Sequence, residues 1–436
     1  MPADDPAGAA AGDPLAQLLA GAFPDPETGE LLGAPSRAVV IADSLDGSEA
    51  ELVGSLGLGR HLAVVSDPAT SEALGRRVER ALAARFALQR IVLDRSPHAD
   101  AATLARLVAA LDARIDAVVA VGSGTINDLC KLAAQARGCP QLVFATAPSM
   151  NGYTSLSASL TEGGIKRSLR AATPIGVFFD LGVLAAAPVR LIRAGLGDSV
   201  CRPTAQADWL LSHLLLDRPY REAPFALLAR DEPALLADAH ALVSGDLAAM
   251  RRLVRTLVLS GFGMTISGGS YPASQGEHLL SHYIEMMQPP GLPEALHGEQ
   301  IGVCALAMAE LQDRILAHRA PVVRPTAIDR DDVIRRFGAE RGAACWRELE
   351  PKWIGRELAE QLTARLAASW DAMRAQIARI TLGHARMADA LTAAGAPTSP
   401  GDLGWSQALL DDAIAHAREI RNRYTFLDFA LDTAAR

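Results

Sequence analysis

The chain has 436 residues, half of them hydrophobic and 21% charged, with a formal net charge of −8. That length supports two or three ordinary domains with a sizeable core, and the composition excludes a disordered or fibrous protein. The acidic balance leaves no electrostatic footprint for nucleic acid or an anionic membrane, and no apolar run is long enough to insert into one.

Residues 1–35, rich in Ala, Gly, Pro and Asp, read as a loose leader with one short helix over Pro14–Ala22. They carry acids where a secretory signal wants bases. From there to about Asp180, short apolar runs alternate with helical patterns. The runs are Ala38–Asp43, His61–Asp67, Gln89–Asp94, Ile115–Gly124 and Gln141–Ser149. Between them the spacing predicts helices over SEALGRRVERALAARF, over Ala101–Ala113 and near Asn127–Ala136. A hairpin turning at Glu162–Gly164 and a return strand to Asp180 close this half. Strands buried on both faces, with intervening helices, predict a Rossmann-like, doubly wound parallel sheet in an α/β domain over residues 36–187.

After Pro188 the strand-like runs vanish, and long Ala/Leu/Arg helices continue to the C-terminus. Gly/Pro turns interrupt them at Gly268–Pro272, Pro289–Pro293 and Ala396–Gly401. Residues 188–436 are therefore expected to form an all-helical domain. The five cysteines are odd in number, scattered and never in CxxC spacing, so a disulfide framework and a thiolate zinc site are not expected. The compartment expected from them is the reducing cytosol. Of the 42 basic residues only Lys131, Lys166 and Lys352 are lysines.

Two patterns carry chemistry. The first is VVAVGSGTINDLCK, which passes from a buried strand into a helix through Gly122-Ser123-Gly124. Glycines there let the backbone approach a ligand, and the free N–H groups of the helix start attract phosphate. Asn127 stands where a third glycine would complete GxGxxG, and Thr125 with Asp128 fits a capping box that would start the helix without any ligand. Two neighbours favour the nucleotide. Asp67 ends an earlier strand where an acid accepts hydrogen bonds from a ribose, and Thr146–Ser149 (TAPS) emerges beside the glycine turn. The second pattern is QGEHLLSHYIE, which places His278 and His282 four apart on one helix face, with His297 following in ALHGEQIGV and Asp198 upstream in AGLGDSV. Two imidazoles and a carboxylate suit a divalent transition metal with positions left open for substrate. Spacing leaves open which two histidines bind it. His213, His240, His318, His384 and His416 read as structural or surface residues.

In order, GSGTIND, TAPSMNGYTS, AGLGDSVCRPTAQADW, PASQGEHLLSHYIEM, LHGEQIG and IRNRYTFLDFA resemble the sn-glycerol-1-phosphate dehydrogenases, within the superfamily of metal-dependent alcohol dehydrogenases and dehydroquinate synthases. The motifs span about Asp67 to Asp428. The resemblance implies a dehydroquinate synthase-like fold and an NAD(P)-dependent oxidoreductase, expected to be a cytoplasmic homo-oligomer of phospholipid metabolism. It would reversibly reduce dihydroxyacetone phosphate to sn-glycerol 1-phosphate. By the same resemblance, Gly122, Ser123, Gly124, Thr125, Ile126 and Asn127 hold the pyrophosphate of NAD or NADP, and Asp67 the adenosine ribose. Thr146, Ala147, Pro148, Ser149 and Ser155 line the nicotinamide half. Asp198, His278 and His297 bind one divalent metal (zinc, or nickel or iron in relatives). Asn151, Asp198 and His282 meet a small phosphorylated three-carbon substrate, with Asp198 and His282 catalytic. Lys131 sits where relatives also carry Lys.

Three positions depart from the family: Asn151 replaces Asp, Tyr271 an Arg, and Arg202 a Lys. Asn accepts less strongly and adds a donor, and losing an Arg removes a bidentate phosphate partner, for which Arg167, Arg170, Arg202 and Lys166 are candidates. These departures motivate two competing expectations: a polyol dehydrogenase acting on an unphosphorylated substrate, and a nucleotide-binding relative without catalysis.

Overall fold

The run AVVAVG is apolar at every position because it is a central strand covered on both faces, and all six residues are buried. In the computed structural model, residues 12–162, 165–287 and 289–433 are described. Residues 1–11 of the expected leader, the hairpin turn at 163 and 164 and the side chain of Lys166 lie outside them.

Strands β1 (Ala38–Ala42), β2 (His61–Ser66), β3 (Ala87–Val92), β4 (Ala117–Gly122) and β5 (Gln141–Ala145) precede an antiparallel hairpin, β6 (Ser157–Glu162) and β7 (Ile165–Arg170), and then β8 (Gly176–Asp180). Six of them form one sheet in the order β1-β8-β5-β4-β2-β3, parallel throughout. The expected doubly wound α/β fold with a helical C-terminal portion is borne out. From β2 the chain adds β3 on one side and then crosses to add β4 on the other. That reversal is the point where open α/β sheets bind ligands, beyond the carboxyl ends of the strands. Asp67 follows β2 and Gly122 ends β4, and the two strands are direct neighbours in register, Val65 opposite Ala120. The topology therefore puts the acid and the glycine turn at the same crevice.

The strand expected over Gln141–Ser149 stops at Ala145. Beyond it Thr146 N–H still bonds Gly122 O at 3.2 Å, but Pro148 has no N–H to continue a ladder. TAPS is thus a loop rather than a strand end.

Among the described residues the chain divides into two compact units. One comprises the residues up to Ser199 together with Glu222–Gly269, and the other Val200–Arg221 with the residues from Ser270 on. The helical segment after Pro188 contributes to both. The core of the first packs Val64, Val119, Val121, Phe144 and Phe178. That of the second packs Leu211, Leu280, Tyr283, Trp370, Phe426 and Phe429. Each such side chain, fully buried, contributes roughly 1.5–3 kcal/mol.

Candidate active site

The helix after β4, α1 (Gly124–Arg137), begins at Gly124, three residues before its expected start, and no side chain caps it. The Thr125/Asp128 capping box is absent because Asp128 is committed elsewhere: its carboxylate accepts from Ser159 N at 2.9 Å and from Asn127 Nδ2 at 3.1 Å. The first N–H groups of α1 are thus left for an anion. Gly122 is required sterically, since a Cβ there would lie 2.5 Å from the Cβ of Ile126. Asn127 is fully buried, and its Oδ1 accepts from Gln141 Nε2 at 3.3 Å. It braces the turn from below. Ser123 and Thr125 are half-buried at the turn, and Ile126 is buried.

Asp67 starts the next helical turn, accepting from Thr70 N at 2.8 Å through Oδ1 while Thr70 Oγ1 accepts from its backbone N–H at 3.0 Å. Nearby Arg77 is taken up by two buried carboxylates, Glu49 at 2.8 Å and Asp180 at 2.5 Å.

The loop Thr146–Ser155 is held from three sides. Helices α2 (Val189–Val200) and α4 (Leu247–Ile266), with α3 (Arg202–Leu216) between them in sequence, supply two close approaches. A Cβ on Gly195 of α2 would stand 1.7 Å from Pro148 O, and one on Gly261 of α4 would stand 2.5 Å from Asn151 O. From below, Lys131 of α1, 1% exposed, donates to Gly152 O at 2.6 Å, Ser155 O at 2.9 Å and Ser157 O at 3.1 Å. Burial pushes its ammonium down to about 8, opposed by Asp128. Tyr153 OH donates to Ala147 O at 2.7 Å, and Thr154 Oγ1 to Val258 O at 2.7 Å. Thr146, Ala147 and Pro148 are buried and Ser149 is half-buried. Ser155 is buried, its hydroxyl turned inward to Gly152 O and Ser157 O at 3.1 and 3.0 Å. Asn151 N–H donates to Oδ2 of buried Asp198 at 2.8 Å, which ties the loop to α2.

In the second unit, α5 (Gly276–Met287) carries His278 and His282, and α6 (His297–Ala317) begins with His297. The three rings converge. Their centroids are 5.8 Å apart for His278 and His282, 5.1 Å for His278 and His297, and 6.2 Å for His282 and His297. His278 Nδ1 contacts Oε1 of fully buried Glu277 at 2.9 Å. With that nitrogen as the donor, Nε2 is the acceptor, which is the usual arrangement of a metal-binding imidazole oriented by a carboxylate. Ligand atoms of Cys201, Glu277 and His278 lie within 4.8 Å of one another. Asp208, also fully buried, accepts from Gly276 N at 2.9 Å and Phe426 N at 2.8 Å. Burial and then the Glu277 charge raise its carboxyl well above the usual range. Imidazole nitrogens, a thiol and carboxylates in one buried cluster fit a divalent transition metal.

Glu277 and Asp208 are the parts that sequence reasoning missed. Glu277 precedes His278 directly, and an acid beside a ligand histidine is the available signal. Asp208 offers none, because its partners lie 68 and 218 residues away. Of the other histidines, His213 contacts Arg218 O at 2.7 Å and His416 contacts Glu419 at 3.0 Å, both structural uses. Arg167 and Arg170 are exposed on β7 in the first unit, and Arg202 donates to Gln206 in the second. Among the described residues no helix is long and apolar enough to cross a membrane.

A family model for iron-containing alcohol dehydrogenases matches residues 40–188. The glycerol-1-phosphate dehydrogenase (NAD(P)+) of Bacillus velezensis is 31% identical over 382 residues, covering 86% of each chain. The enzyme of the same name from Pyrococcus furiosus is 32% identical over 276 residues, 63% of this chain and 78% of that one. A solved sulfoacetaldehyde reductase from Bifidobacterium kashiwanohense, in complex with NAD+, has a TM-score of 0.59 at 14% identity, covering 92% of this chain and 96% of that one. That likeness shows the fold alone.

Proposed function

Because the chain belongs to the glycerol-1-phosphate dehydrogenase family, an alcohol-dehydrogenase-type group of NAD(P)-dependent enzymes, we propose that it reduces dihydroxyacetone phosphate to sn-glycerol 1-phosphate with NADH or NADPH and one divalent metal. The reaction consumes one hydride and one proton and runs in both directions. The observation that carries the reading is the convergence of His278, His282 and His297, with Glu277 orienting His278.

Asp198, His278 and His297 are the proposed metal ligands. Asp198 lies near the end of α2, one helical turn before Cys201, whose sulfur belongs to the cluster around His278. Chain continuity thus supports a carboxylate joining the imidazoles. Zinc suits two nitrogens and one oxygen, and nickel or iron suits them as well. When bound, the metal polarises a ketone oxygen and the reduced nicotinamide supplies hydride.

The chain's own residues do the rest. The uncapped start of α1 receives the pyrophosphate, and Asp67, with one carboxylate oxygen outside its helix cap, receives a ribose hydroxyl. Arg77 is held by Glu49 and Asp180, so of the two arginines that follow this turn only the exposed Arg76 is left for a 2′-phosphate, while Asp67 favours a free ribose hydroxyl and hence NADH. The braced Thr146–Ser155 loop fixes the nicotinamide half. Asn151 N–H orients the Asp198 carboxylate. His282, half-buried on the face of α5 that carries His278, is positioned to give a proton to the developing alkoxide.

The test is oxidation of NADH and NADPH with dihydroxyacetone phosphate after loading with zinc, nickel or iron. Turnover that depends on the metal supports the proposal. Absence of turnover with all three overturns it. Asn151 and Tyr271 favour a second reading, an unphosphorylated polyol or ketone as substrate, and preference for free dihydroxyacetone in the same assay would select it. Nucleotide binding without any turnover is the signature of a non-catalytic relative.

A further inference from the structure

In and around the segment that leads into the last helix, α7 (Phe426–Thr433), stand several buried or part-buried cations. Three are matched to carboxylates: Lys352 to Asp428 at 2.8 Å, Arg418 to Asp432 at 2.8 Å, and Arg336 to Glu419. Arg421 and Arg423 are not. Among the described residues neither makes an ion pair, although both guanidiniums are largely withdrawn from water. Burial, and then the charge of Arg421, lower the pKa of Arg423 to about 9, and burial lowers that of Arg421 as well.

Arg423 is nevertheless held in place. Its Nη2 donates to Ser270 Oγ at 2.8 Å, and its guanidinium lies 4.8 Å over the Tyr271 ring. Its buried Nη1 has no partner among the described residues. Its backbone carbonyl accepts from Lys352 Nζ at 2.9 Å. The single carboxylate of Asp208 bonds both Gly276 N and Phe426 N, which fixes this segment beside the start of α5. Gln275 completes the link: its side chain donates to Tyr271 O at 2.9 Å, and its backbone N–H donates to Glu277 Oε1 at 2.8 Å, the oxygen that contacts His278. The charges of Glu348 on both cations and of Glu277 on Arg423 offset this burial only in part, so two guanidiniums without an ion pair among the described residues are costly in the free protein. A doubly charged oxyanion removes that cost and matches the guanidinium fork.

We propose that Arg421 and Arg423 are the anion-recognising pair of the substrate site, binding the phosphomonoester of a small phosphorylated ketone. This rests on the function proposed above and names the part of the chain that selects the phosphorylated substrate. Tyr271 then serves as the flat surface on which Arg423 is stacked.

The experiment compares wild type with Arg421→Gln and Arg423→Gln as metal-loaded full-length proteins. Steady-state kinetics with dihydroxyacetone phosphate and with free dihydroxyacetone are combined with ³¹P titration of inorganic phosphate. The expected result is a fall of at least 30-fold in the ratio of kcat/KM for the phosphorylated over the free ketone, carried by KM, with a matching loss of phosphate affinity. Unchanged ratios and unchanged phosphate affinity in Arg421→Gln, which has no side-chain hydrogen bond to lose within the described fold, would overturn the proposal. That variant carries the test if Arg423→Gln does not fold. If wild type turns over no phosphorylated ketone, the function fails while the pair is still decided: phosphate affinity lost in the variants keeps the anion site, and phosphate affinity retained removes it.

Discussion

Replacing Lys131 by Met removes a charge while keeping the length and volume of the side chain, so it isolates the polar role of this residue. Two opposing effects decide the outcome. Burying the ammonium is unfavourable: a fall in pKa from 10.5 to about 8 corresponds to about 3 kcal/mol, which the substitution returns. Against it stand three charge-assisted hydrogen bonds to Gly152 O, Ser155 O and Ser157 O, each contributing about 1.5–3 kcal/mol. Ser155 Oγ has one hydrogen and bonds either Gly152 O or Ser157 O, and Gly152 O also accepts from Ser155 N, whereas Ser155 O loses its hydrogen-bond partner. The bonds win. Lys131→Met should lower stability by about 2–4 kcal/mol, read as a shift in urea midpoint at unchanged m, and should raise KM for the nucleotide through a loosened Thr146–Ser155 loop. The pH dependence has a defined sign. Between about 8 and 10.5 the unfolded chain keeps a proton that the folded chain has released, so this group's contribution to stability rises with pH. The difference between wild type and Lys131→Met should therefore widen over that range. A loss below about 1 kcal/mol, with no widening, would refute the reasoning.

Other substitutions follow from the same geometry. Gly195→Ala sets a Cβ 1.7 Å from a backbone oxygen, so either α2 or the loop must move; kcat/KM should fall by at least tenfold, and a neutral result would show that the close approach is unimportant. Glu277→Gln keeps a hydrogen bond to His278 but removes the charge, and metal affinity measured against a competing chelator should weaken by about 10–100-fold. NADH should be preferred over NADPH in kcat/KM, and Arg77→Ala should lower stability without changing that preference, because Arg77 serves Glu49 and Asp180.

Much of the fold was legible because its signals are local. Buried parallel strands are written as uninterrupted apolar runs, and AVVAVG and QLVFA both emerge as fully buried strands. The two ends of the candidate site were legible for the same reason: a glycine turn and an i, i+4 histidine pair are each set within a few residues. Boundaries were less legible. Gln141–Ser149 reads as one apolar run, yet the strand ends at Ala145, where Pro148 and the demands of the loop override apolar continuity. The Thr125/Asp128 pattern misled because Asp128 has a better partner in Ser159, 31 residues on. What sequence could not supply were the supports with distant partners: Lys131 beneath the loop, Asp208 joining α5 to α7, and the burial of Arg421 and Arg423 without an ion pair among the described residues. Each depends on partners brought together only by the fold.

The account is tested most directly by metal content per chain after loading and desalting, in wild type and in Asp198→Asn, His278→Gln and His297→Gln. It predicts one divalent ion per wild-type chain and retention well below that in each variant, with folding intact by circular dichroism. Full retention in all three would contradict it.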